Sequence, residues 1–135
     1  MRNFFAIVVS LCFSISALAQ DYSANWEDYF SYYEIVDIHS SGNRVFAAAK
    51  NSVFSYNPVT GEAIKFSTIN GLAGENVSAI HFSSAFNVLV VGYETGLINV
   101  YNFSTGNTLQ VIDITERQTI SPANRRINDF FEVNG

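Results

Sequence analysis

At 135 residues the chain has room for one ordinary domain, and 7 basic against 12 acidic side chains give it a net charge of −5. That acidity excludes a nucleic-acid binder, which needs a basic stripe along the phosphates, and Arg125-Arg126 is the only adjacent basic pair. A single cysteine, Cys12, excludes a disulfide framework and a thiolate metal site.

The first element is a leader. Arg2 precedes a mostly apolar run from Phe4 to Leu18, and Ala17-Leu18-Ala19 is an A-x-A site. Residues 1–19 therefore read as a secretory signal peptide cleaved between Ala19 and Gln20. A transmembrane anchor needs about 20 apolar residues. This run is shorter and is interrupted by Ser10, Ser14 and Ser16, so no transmembrane segment is expected. Leu11 stands before Cys12 where a lipoprotein signal wants a small residue. Cleavage removes Arg2 and leaves 6 basic against 12 acidic residues, with no cysteine.

Residues 20–34 form an aromatic entry segment containing Trp26, Tyr29, Phe30, Tyr32 and Tyr33. Such a cluster either stacks sugars or fills a core, and large aromatics dominate burial. The core is the favoured reading. Ile35 to His39 then alternates as a strand should, and Ser40-Ser41-Gly42-Asn43 makes a turn. Val45 to Ala49, Val53 to Tyr56 and Ala63 to Thr68 are three further strands. Asn57-Pro58-Val59-Thr60-Gly61 is a strong turn signal between the last two, with proline presetting one backbone angle and glycine accepting the left-handed one.

The same order recurs. Val77 to Phe82, Val88 to Gly92, Leu97 to Tyr101 and Thr108 to Ile114 are four strands, and Asn102 to Gly106 repeats the Asn57 to Gly61 turn. Ile127-Asn128-Asp129-Phe130-Phe131 opens as Ile35 and Val77 do. The spacings, 42 residues from 35 to 77 and 50 from 77 to 127, are those of propeller blades or solenoid repeats. Four short strands per unit without helical periodicity predict an all-β fold of β-propeller blades. Residues 35–76 are the first blade, 77–126 the second and 127–135 the start of a third, so the chain reads as a fragment of a larger propeller protein. A β-sandwich with a chance echo is the structural alternative, and the repeated turn residues argue against it.

One stretch is more specific than the period. Asn70-Gly71-Leu72-Ala73-Gly74-Glu75-Asn76-Val77-Ser78-Ala79-Ile80 leads to Val88-Leu89-Val90-Val91-Gly92-Tyr93-Glu94-Thr95-Gly96-Leu97. This resembles the repeat of two-component-regulator-type propellers, with Tyr93 where that repeat usually has threonine. The glycines read as backbone geometry: Gly71 and Gly74 permit a tight connection, Leu72 plugs the groove between blades, and Gly92 and Gly96 bracket a hairpin. A narrower likeness rests on Trp26…Tyr29-Phe30-Ser31-Tyr32, Ala47-Ala48-Ala49-Lys50-Asn51-Ser52-Val53-Phe54, Ile69 to Leu72, Val91 to Ile98 and Asp113-Ile114…Thr119-Ile120. On these residues the chain resembles the N-terminal part of the PorZ family, the propeller proteins of the type IX secretion system.

The resemblance implies an exported cell-surface, outer-membrane protein with two propellers and a C-terminal secretion-signal domain. It implies as partners the surface attachment complex, including a sortase, and anionic lipopolysaccharide delivered for cargo anchoring. No glycan-binding residue is placed by it. The rival reading is the extracytoplasmic ligand-sensing propeller of a hybrid two-component histidine kinase, which shares the repeat. A propeller enzyme such as a lyase would need histidines and acids from later blades.

No catalytic set, cofactor or metal site is expected. His39 and His81 occupy equivalent places, but two ligands without a third make a poor metal site, and they read as a repeated strand-end histidine. No Gly-x-Ser-x-Gly elbow is present to expose a nucleophile. Glu27-Asp28 are the acids a glycosidase reading would use, but adjacent acids ordinarily face solvent. The expectation is a binding protein and not an enzyme.

Overall fold

The computed structural model describes residues 33–133, which form two four-stranded antiparallel sheets. The first comprises β1 (Ile35–Ser41), β2 (Arg44–Ala49), β3 (Ser52–Tyr56) and β4 (Ala63–Phe66). The second comprises β5 (Val77–Ser83), β6 (Val88–Tyr93), β7 (Ile98–Asn102) and β8 (Thr108–Val111). Strands neighbour one another in chain order in both sheets, the up-and-down meander of a propeller blade. Each leading strand also carries an irregularity near its start, between Ile35 and Asp37 and between Val77 and Ala79. Such a bulge adds local twist where the strand enters the sheet.

The turns show why the repeat is legible. Asn57 Oδ1 accepts from the backbone N–H of Val59 and Thr60, and Asn102 Oδ1 does the same for Ser104 and Thr105. Gly61 and Gly106 then take φ of +73° and +72°, each donating its N–H to the carbonyl of the asparagine four residues earlier, at 2.8 Å. Phe103 stands in the second turn where Pro58 stands in the first, so proline is dispensable. The asparagine and glycine carry the turn.

Several boundaries differ from expectation. Ser40 and Ser41 belong to β1, and the hairpin closes over Gly42 and Asn43 alone. β4 ends at Phe66 because Ser67 caps a 3-10 turn at Thr68–Asn70, its Oγ accepting from Ile69 N–H while Asn70 Oδ1 accepts from Ser67 N–H. β8 ends at Val111 and does not run to Ile114. Ile112 leaves the extended region at ψ 3°, and a single helical turn, α1 (Asp113–Glu116), follows. This brings Ile114 over Gly96, where a Cβ would lie 2.6 Å from the isoleucine methyl.

The two sheets pack face to face. Phe46, Ala48, Val53 and Phe66 of the first meet Val77, Ile80, Leu89, Val91 and Tyr93 of the second, with Leu72 of the connecting loop, in one buried cluster. The aromatic seam is ordered: Phe46 stacks on Phe82 with centroids 4.6 Å apart, and Phe66 meets the edges of Tyr101 and Phe103 at 5.1 and 5.4 Å. Leu72 is buried at this junction. On the opposite face of the first sheet Ile38, Val45 and Tyr56 are exposed. Register makes these the counterparts of Ile80, Leu89 and Tyr101, so the blade is built apolar on both sides.

Candidate functional site at the junction of the leading strands

β1 and β5 lie beside each other, and a carboxylate joins them. Asp37 Oδ1 accepts from Ile38 N–H and its Oδ2 from Ile80 N–H in the next sheet, both at 2.8 Å. Asp129 forms the same local loop with Phe130 N–H at 2.8 Å. Ala79 holds the corresponding place in β5. There the link to the chain beyond is made by Ser78 Oγ donating to Ile127 O at 2.7 Å and by Ile127 N–H donating to Tyr93 O at 3.2 Å. Replacement of Asp37 by alanine is expected to cost about 1.5–3 kcal/mol, the scale of a hydrogen bond to a charged group. Asp37→Asn, which keeps acceptor oxygen, should lose less. Urea unfolding checks both, and wild-type stability in Asp37→Ala would rule out the clasp.

His39 and His81 come together at this junction, with ring centroids 4.5 Å apart. Both stand inside their strands, and not at strand ends as their spacing implied, because β1 and β5 run on to Ser41 and Ser83. His81 Nε2 is 3.4 Å from Glu132 Oε2, and Ser83 Oγ donates to Glu132 Oε1 at 2.9 Å. Burial, followed by the neighbouring His81, holds the His39 pKa below its ordinary value; a hydrogen bond with the Phe82 backbone and the carboxylates of Asp37 and Glu132 oppose this more weakly. The Ser83 hydrogen bond, then that of His81, holds Glu132 below the usual glutamate value. Among the described residues no three His, Cys, Asp or Glu side chains are arranged to hold a metal.

A second node locks the loop between sheets. Tyr93 is fully buried, and its hydroxyl donates to Asn99 Oδ1 at 2.8 Å while Ala73 N–H donates to the same oxygen at 3.0 Å. Burial pushes the Tyr93 hydroxyl up to about 12, against a weaker opposing hydrogen bond from the Gly74 backbone. Gly92 is equally constrained: a Cβ there would lie 2.7–2.9 Å from Ile127 and Phe130. The side chain that departs from the usual repeat, Tyr93, thus has its own receptor in Gly74 and Asn99.

Ala19, Gln20, Glu27, Asp28 and the aromatic residues from Trp26 to Tyr32 lie outside the described residues, and Tyr33 is exposed. Arg125 donates to the carbonyls of Ile120 and Arg117, and Arg126 pairs with Glu94 at 3.0 Å, so the basic pair is engaged locally. Asp37, Glu132 and Asn99 escaped the sequence reading. The shared aspartate of Ile35-Val36-Asp37-Ile38 and Ile127-Asn128-Asp129-Phe130 was the available signal for the first. No helix among the described residues is long and apolar enough to cross a membrane.

Two consecutive four-stranded meanders, packed face to face and linked through their leading strands, define a stretch of β-propeller. Residues 45–134 match the family described as "TSS9, PorZ, N-terminal beta-propeller domain", and the chain belongs to this family of the type IX secretion system. Among solved structures it is similar to PorZ of Porphyromonas gingivalis, described as an essential bacterial surface component of that system, with a TM-score of 0.61 and 24% identity. That similarity covers 69% of this chain and 12% of the other, so the chain spans about an eighth of the length of that PorZ. The WD40 repeats of RRP9 are also similar, with a TM-score of 0.50, 18% identity, and 61% and 27% of the two chains covered. These likenesses show the propeller fold. No curated protein matches.

Proposed function

We propose that the chain is an exported, non-enzymatic propeller component of type IX secretion, acting at the cell surface in the complex that attaches secreted cargo. In this reading it works by binding: the full protein delivers anionic lipopolysaccharide to a sortase, which joins it to the cargo. The observation that carries the proposal is the family match over residues 45–134. The leader read in residues 1–19, ending at Ala19, supports export. The match also favours secretion over the sensor-kinase reading, which rests on the propeller repeat alone. Deletion of the gene is expected to release secreted cargo unattached into the medium, with restoration by the wild-type copy. Normal surface attachment in the deletion strain would remove the secretion role.

A further inference from the structure

The row His39–His81–Glu132 crosses three successive segments of the chain: β1, β5 and residues 127–133. Among the described residues it is part of no metal-holding cluster, and both histidines of the sequence are in it. The His81 and Glu132 side chains are 18% and 28% exposed, and Glu132 as a whole residue is exposed, so the contact is open to solvent on the Glu132 side. Facing His39 are Asp37 on its own strand, His81 and the Phe82 backbone on β5, and Glu132 on the following segment. One positive charge has a place in this row, on His81 beside Glu132. A second, on His39, would sit against the first.

We propose that His39, His81 and Glu132 form an acid-operated release between successive propeller units, in which charging both histidines pushes β1 away from β5 while Glu132 retains β5 on the segment that follows. The geometry gives the release its polarity. Glu132 reaches His81 and Ser83, both on β5, so the β5 side of the junction keeps its counter-charge. The β1 side has Asp37, whose two oxygens are already occupied by the backbone N–H groups of Ile38 and Ile80. Opening between β1 and β5 would also part the Asp37 link to Ile80, so the release acts on the clasp.

The sign follows from the direction of each shift. His39 favours its neutral form in the fold, so its contribution is complete above the ordinary histidine value of 6.5 and is lost as pH falls toward its lowered value. Glu132 favours its charged form, so its contribution holds above 4.5 and is lost as pH falls below that. Both act in the same direction, with His39 first.

Hydrogen exchange of the full-length protein from pH 7.5 to 5, corrected for intrinsic rates, tests this in peptides covering β1 and β5. Wild type is expected to exchange roughly fivefold faster at the acid end, the scale of a like-charge contact at this distance in water. His39→Gln should remain flat, and Glu132→Gln, which removes a charge that raises the His39 value, should deepen the acid loss without moving its onset. Equal acid loss in His39→Gln, or no loss in wild type, would overturn the proposal. Should His39→Gln lack wild-type protection at pH 7.5, the ring resonances of wild type decide, assigned with His81→Gln: a His39 ring titrating at or above 6.5 overturns it, and one titrating below 6.5 supports it.

Discussion

Replacing Phe46 with alanine is expected to destabilise the protein by about 3–5 kcal/mol, the range for truncating a buried phenylalanine. Phe46 is wholly buried in β2, stacks on Phe82 at 4.6 Å and meets the edge of Phe103 at 6.1 Å. Its removal leaves a void between two sheets, and neither can collapse into it, because each is held by its own ladder and by the Asp37 link. Domains of this size are usually stable by about 5–15 kcal/mol, so this one change removes a large share. Phe46→Leu should cost less, since it keeps most of the apolar volume. Urea denaturation of the three proteins at one temperature gives the comparison. A Phe46→Ala loss under about 1 kcal/mol would mean that the sheets do not depend on this seam.

Gly74→Ala is the second large effect, expected at about 1–3 kcal/mol from overpacking. A Cβ at this position would lie 2.4 Å from two atoms of the Tyr93 ring. Relief by moving the ring is blocked, because the Tyr93 hydroxyl is held by Asn99, which also holds the Ala73 N–H. The strain is therefore passed to the loop joining the sheets. The test is a double-mutant cycle with Tyr93→Leu, which removes the obstructing ring. Gly74→Ala should cost markedly less in that background. An unchanged cost would show that the glycine serves some purpose other than accommodating Tyr93.

What was readable beforehand was local. The Asn57 and Asn102 turns depend on contacts two to four residues apart, so the same letters produce the same φ at Gly61 and Gly106 wherever they occur. The strands between them follow from alternation, while Gly74 and Gly92 make room for side chains that arrive from other segments. The bond from Asp37 to Ile80 spans 43 residues, and the aspartate repeated at Asp129 marks the position without naming its partner. The end of β8 was misplaced for a similar reason. Apolar residues up to Ile114 look like a continuing strand, but Ile114 packs over Gly96, in the turn between β6 and β7.

The repeat was also misleading in one place. Counting from Ile35, Val77 and Ile127 makes Phe131 the counterpart of His39 and His81, but Phe131 is 86% exposed and Glu132 meets His81 instead. Residues 127–133 form no ladder, so they are not held to the register that the pattern assumes. Burial also differs within the register: Ile38 and Ile80 occupy one repeat position in paired strands, yet the first lies on an uncovered face at 63% exposed and the second on a covered one at 3%.

The sequence by itself determined that this chain makes four-stranded units in tandem, where each unit turns, and to which family the pattern points. Those properties are encoded in side-chain alternation and in residues that close a turn with their own neighbours. Only the tertiary structure decided which of two equivalent apolar faces is covered, which carboxylate clasps the next strand, and that the two histidines share a contact with Glu132. Each of these needs two segments tens of residues apart to arrive at the same place, and packing of one sheet on the next brings them there.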